Sequence, residues 1–248
     1  MNDKYWDNPD DEVHSFTSTQ RLLIKRSKLN ISIIERESDE KAKYELFQRL
    51  NTGGSIATPQ EVRNCMLVML NRDFYHWLRS LANYDPFQQC IALSDRLFEE
   101  QYDIELALRF VLLFDIGVDA LTEVKDIGVF LTDQMLELAG QQDIDFGRYE
   151  HAFFTAFDTL ARTIGSNSFR RYAANNDKYT GGFLLSSYEV IALGVGYNYA
   201  QLPNDNEITT KAKGIWSNDT YTTWSGSGIT AMRRLPHLVP LGRTIFTQ

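Results

Sequence analysis

Apolar residues recur along this chain mainly at helical spacing. Over residues 59–81 the positions Val62, Cys65, Met66, Met69, Leu70, Trp77, Leu78 and Leu81 fall close to one face, which predicts a single long amphipathic helix. Residues 103–115 are apolar nearly all round, as in a central buried helix. Residues 129–139 and 149–164 are amphipathic, and each run stops at a glycine, Gly140 or Gly165. Further helices are expected over 186–200 and 207–216, with a loop at 178–182 and proline-rich turns after Leu235. Strict alternation is confined to Leu29, Ile31 and Ile33, so residues 29–34 read as a half-buried strand. An isolated strand is unstable, so the pattern implies a small sheet whose other strands come from elsewhere. No internal repeat and no low-complexity tract interrupts the chain.

The sharpest punctuation lies in residues 44–64. Ser38 with Asp39 and Glu40 opens a helix that carries Leu46, Phe47 and Leu50 on one face. The Asn51-Thr-Gly-Gly turn ends it, because Asn and Gly accept the left-handed backbone of a helix C-terminus. Thr58, Pro59 and Glu61 then form a capping-box start, with proline where no N–H is needed. A second capping-box pattern runs from Ser186 to Glu189. The fold class is therefore α+β, mostly α. Residues 1–65 form a small α/β portion, of which 1–18 are a loose acidic arm. Residues 66–248 form a helical portion, joined to the first through the helix at 59–81.

Charge narrows the functional classes. The net charge of −8 argues against a bare, sequence-independent DNA binder. Basic residues nevertheless cluster at Arg21, Lys25, Arg26 and Lys28, and again at Arg233, Arg234 and Arg243. These are either two solvated patches or a pair that converges on an anion. The two cysteines, Cys65 and Cys90, have no metal or redox spacing, which fits a reducing cytoplasm, and Cys65 is expected to pack on a helix face. His14, His76, His151 and His237 are scattered, so no metal site is expected. The apolar run at 110–114 is too short to span a bilayer, and no membrane partner is expected.

Phosphate-loop and dinucleotide glycine fingerprints are absent, and no cofactor is identified from the residues. Two segments remain as candidates. Arg49 and Asn51 flank a turn at Gly53 and Gly54 that either simply ends a helix or lets a ligand approach the backbone. Ser227 and Gly228 precede a segment bearing Arg233, and with Lys28 they are a candidate anion site, although a plain linker explains the Ser-Gly run equally well.

The stretch Lys43-Tyr-Glu-Leu-Phe-Gln-Arg-Leu-Asn-Thr-Gly-Gly, followed by Thr58-Pro-Gln-Glu-Val-Arg-Asn-Cys65, resembles the N-terminal domain of GmrSD-type restriction endonucleases. The strand at 29–34, the late Ser-Gly-Ser-Gly with Arg-Arg-Leu, and Leu241-Gly-Arg-Thr-Ile-Phe246 are similar in the same order, so the resemblance runs from about residue 20 onward. It implies a ParB/sulfiredoxin-like α/β unit before a helical bundle, a nucleotide or nucleic acid as partner, and a role in defence against foreign DNA. It also places Arg49, Asn51, Gly53 and Gly54 in the ligand site. The family's upstream Asp-Gly-Gln-Gln-Arg motif, tied to nucleotide hydrolysis or nuclease activity, is not found in these 248 residues, nor is a His-Asn-His nuclease signature. The expectation is a truncated domain, weak or inactive alone, whose missing segment a partner chain would supply. The alternative is a non-catalytic helical interaction module.

Overall fold

A computed structural model of the chain describes residues 4–11, 13–28 and 57–248. The expected strand at 29–34, the helix from Ser38 and the turn at 51–54 lie outside the described residues. The chain divides into two compact units, Met1–Leu46 and Phe47–Gln248. The described part of the first unit is a loop closed on itself, with Tyr5 N–H donating to the His14 carbonyl at 2.7 Å and Phe16 N–H to Tyr5 at 3.0 Å. Helix α1 (Ser18–Arg26) follows, started by a Thr17–Gln20 capping box and ending on Lys25 and Arg26, where cations suit the helix dipole.

The second unit is almost entirely helical. Helix α2 (Pro59–Leu70) starts as the sequence implies: the Thr58 hydroxyl accepts from Glu61 N–H, and Glu61 returns the bond. It does not run to residue 81. Asn71 takes an extended conformation, caps α3 (Arg72–Ala82) through Phe74 N–H at 2.9 Å and donates to the Ala139 carbonyl. The break re-phases the apolar face. Val62, Met66 and Leu67 are buried on α2 and Phe74, Leu78 and Leu81 on α3, whereas Met69, Leu70 and Cys65 stay exposed.

Short helices α4 (Asp85–Ile91) and α5 (Asp95–Glu99) lead into α6 (Tyr102–Leu113), buried nearly all round as expected. Then come α7 (Val118–Thr122), α8 (Ile127–Ala139) and α9 (Phe146–Thr163). The expected loop at 178–182 instead begins as a strand. Within a two-stranded antiparallel hairpin, β1 (Arg171–Ala173) pairs with β2 (Lys178–Thr180), Tyr172 opposite Tyr179. The turn is closed by Asp177 at φ +50°. Helix α10 (Leu185–Tyr197) is buried from Ser187 to Gly196. The Ser186–Glu189 capping box does not form, because Leu184 is the N-cap residue and Glu189 is turned into the interior. Helix α11 (Asp205–Gly214), capped by Asn204, a 3-10 turn at Ile215–Ser217 and α12 (Asp219–Trp224) follow. The last helix, α13 (Ala231–Ile245), replaces the expected proline-rich turns and contains Pro236 and Pro240. Each proline costs a helical hydrogen bond, but burial of Leu235, Leu238 and Val239 holds the helix together.

The core is aromatic. Phe87, Phe110, Phe153 and Phe157 have ring centroids 4.5–5.6 Å apart. Tyr188 anchors α10 to this cluster by donating to the Leu106 carbonyl at 2.8 Å. Helices α10 and α13 cross in near backbone contact at Gly194 and Gly242. A Cβ on Gly194 would sit 2.5 Å from the Gly242 carbonyl carbon, and one on Gly242 would collide with the Val190 carbonyl. Among the described residues no helix is long and apolar enough to cross a membrane.

Gly242→Ala is expected to lower the unfolding free energy by about 3 kcal/mol or more, since the clash is with backbone that has nowhere to move. Gly214→Ala, whose added carbon meets nothing within 4 Å, should leave stability equal or slightly raised. Urea titration of the two variants separates these outcomes.

Candidate functional site

Five charged side chains are threaded through the interior from α2 to α13. Arg63 Nη2 donates to Glu105 Oε2 at 2.7 Å. Arg109, one turn on from Glu105, grips its other oxygen through Nε at 3.0 Å and Nη2 at 2.8 Å. Arg109 Nη1 comes within 3.9 Å of Glu189, and Arg234 closes the series with a two-pronged bond to Glu189 at 2.5 and 2.9 Å. The five side chains are only 1–14% exposed. Among the described residues, three guanidiniums meet two carboxylates in this network.

The first turns of α2 supply the neutral part of the network. Gln60 accepts from Arg63 Nε at 2.8 Å and donates to Asn64, and Asn64 in turn donates to Gln101. Gln101 sits at φ +57°, a left-handed conformation that non-glycine residues adopt rarely. Its bond to Asn64 and its place just ahead of α6 hold it there. Arg234 Nη1 also donates to the Ile229 carbonyl, so the far end of the network grips the loop before α13.

Electrostatics follow from this burial. Desolvation works against the charge of Arg109, but the pull of Glu105 and Glu189 outweighs it and raises the pKa above the ordinary value. Arg234 shows the same balance, its bond to Glu189 overriding burial. Tyr102, which opens α6 beside these charges, is pushed up to about 12, chiefly by burial. Among the described residues Arg109 Nη1 is buried with no hydrogen-bond acceptor. The arrangement is a buried ion-pair network that links four helices.

Of the residues singled out from sequence, Arg49, Asn51, Gly53 and Gly54 lie outside the described residues. Lys28 is exposed in the first unit. Ser227 and Gly228 are exposed in the loop before α13, where Gly228 takes φ +84°. Arg233 is exposed, its guanidinium carbon 6.0 Å from the Trp224 ring centre, and Trp224 stacks on His237 at 3.8 Å. The basic residues near the C-terminus do not form one patch. Arg234 turns inward to Glu189, while Arg243 lies 4.4 Å over the Tyr197 ring and donates to the Leu113 carbonyl. Burial lowers the Arg243 pKa. Among the described residues no three His, Cys, Asp or Glu side chains gather as a metal-binding group. The buried network itself escaped the sequence pattern. Gln60, Arg63 and Asn64 fell in a helix judged by its apolar positions, although their closeness within two turns was a signal.

No protein-family model, curated protein or solved structure matches the chain.

Glu189→Gln should cost about 3–5 kcal/mol, because it leaves buried guanidiniums without their counter-charge. Asp205→Asn, which removes the exposed pair with Arg162, should leave stability nearly unchanged. Alkali provides a second check. An unfolded tyrosine loses its proton near 10.0 and folded Tyr102 at about 12, so stability falls as pH rises through that window. Tyr102→Phe should make that fall shallower by about one proton in urea titrations at several alkaline pH values.

Proposed function

We propose that this chain is a GmrSD-like domain that binds nucleotide or DNA phosphate in defence against foreign DNA. Residues 1–65 would be the ParB/sulfiredoxin-like portion and residues 66–248 the helical one. The observation that carries the proposal is the burial of Arg63, 2% exposed, against Glu105. Gln60, Arg63 and Asn64 all lie in the stretch that resembles the family, and all three are interlocked with one another or with α6 rather than solvated. In the sequence the Asn51-Thr-Gly-Gly stretch shortly precedes this firmly fixed helix start. Arg49 would contact phosphate, Asn51 would hydrogen-bond the ligand, and Gly53 and Gly54 would let it approach the backbone. Without an Asp-Gly-Gln-Gln-Arg motif in the chain, binding is expected with little or no hydrolysis.

A second reading, a helical protein-interaction module, is favoured by exposed apolar side chains. Helix α1 buries none of its residues and exposes Leu22, Leu23 and Ile24, and α2 exposes Val68, Met69 and Leu70.

Equilibrium binding of a fluorescent nucleoside triphosphate and of duplex DNA tests the first reading. Arg49→Ala and Asn51→Ala should each weaken binding at least about tenfold, with hydrolysis at background. Unchanged binding in both variants would remove the assigned site. Hydrolysis that depends on Asn51 would show that the catalytic set is complete without the motif.

A further inference from the structure

A cleft of about 380 Å³ opens between the β hairpin, the start of α10, the 3-10 turn and α12, within the size range of small-ligand sites. Its lining combines aromatic rings with hydroxyl groups. Tyr172 and Trp216 both line it. The Tyr172 ring is held in place from outside, its hydroxyl donating to Asp177 at 2.7 Å while Lys213, paired with the same carboxylate, lies 4.8 Å over the ring. Trp216 meets Tyr221 edge-on at 5.1 Å, and buried Tyr221 is tied to Ser186 at 3.2 Å between the hydroxyls. Thr222 on α12, its hydroxyl donating to the Asn218 carbonyl, and Ser225 just after the helix add two further hydroxyls.

Among the described residues Arg171 is the one charged residue that lines this cleft, and no acid pairs with it. A guanidinium beside aromatic faces suits an anion attached to a flat ring. The hydroxyls match a polyol between the two, and the volume fits one ring, one sugar and one phosphate. We propose that this cleft binds a 5′-mononucleotide, free or at the phosphorylated end of a strand. The base stacks on Trp216 or Tyr172, the ribose meets Ser186, Thr222 and Ser225, and Arg171 takes the phosphate. The cleft is built from the hairpin and the C-terminal helices, and among the described residues none from α2 lines it.

Calorimetry or ligand-observed NMR on the full chain tests this with AMP, adenosine, inorganic phosphate and a 5′-phosphorylated oligonucleotide. AMP should bind, adenosine less tightly and phosphate least. Arg171→Ala, a change at an exposed position, should weaken AMP about tenfold and leave adenosine unchanged. Trp216→Leu should weaken both AMP and adenosine. An oligonucleotide tighter than AMP would identify a strand end as the natural source, and the reverse order a free nucleotide. Either order supports the cleft. No AMP binding at about 10 mM, phosphate as tight as AMP, or AMP affinity unaffected by Arg171→Ala would overturn it. AMP binding lost in Asn51→Ala but kept in Arg171→Ala would also overturn it, while supporting the site at the 51–54 turn.

Discussion

Glu105 and Glu189 are held away from water, and every charge they carry is answered by a guanidinium from another turn or another helix. Burying an ion costs several kcal/mol unless partners surround it, so such a network is stable only when complete. That condition constrains four helices together. Arg63 ties α2 to α6 and Arg234 ties α13 to α10 by hydrogen-bonded ion pairs, while Arg109 links α6 to α10 only through a 3.9 Å charge contact with Glu189. Hydrophobic contact alone would tolerate sliding of one helix on another. A directed ion pair inside a low-dielectric core does not, least of all the two-pronged Arg234–Glu189 pair.

The close crossing of α10 and α13 belongs to the same constraint. Glycines at 194 and 242 bring the two backbones together, and on those same two helices Glu189 and Arg234 meet through two direct hydrogen bonds. The sequence accepts two prolines in α13 without losing the helix, which shows how strongly packing outweighs local preference there. The aromatic cluster behind α10 provides the remaining burial, and Tyr188 links that cluster to α6.

Helices with a clean apolar stripe and a definite stop were legible in the sequence. Residues 103–115, 129–139 and 149–164 became α6, α8 and α9 with small shifts at the ends. Thr58, Pro59 and Glu61 gave the start of α2 by local chemistry that needs no tertiary partner. Elements fixed by distant contacts were not legible. Asn71 breaks the 59–81 pattern because it bonds the end of α8, and Glu189 leaves its capping role because Arg234 waits in the core. The hairpin at 171–180 is three residues per strand, too short for alternation to register. Among the candidate residues, Ser227, Gly228 and Arg233 proved exposed, whereas Gln60, Arg63 and Asn64, which the apolar pattern passed over, are buried. Their burial depends on Gln101 and Glu105, some forty positions on.

If the five charges act as one unit, Glu105 and Glu189 must be coupled although they touch only through Arg109. A double-mutant cycle of Glu105→Gln and Glu189→Gln in urea measures this directly. The predicted result is a coupling of about 1–2 kcal/mol, since the second substitution acts on a network already broken. Additivity within about 0.5 kcal/mol would mean two independent ion pairs, and would contradict a framework running from α2 to α13.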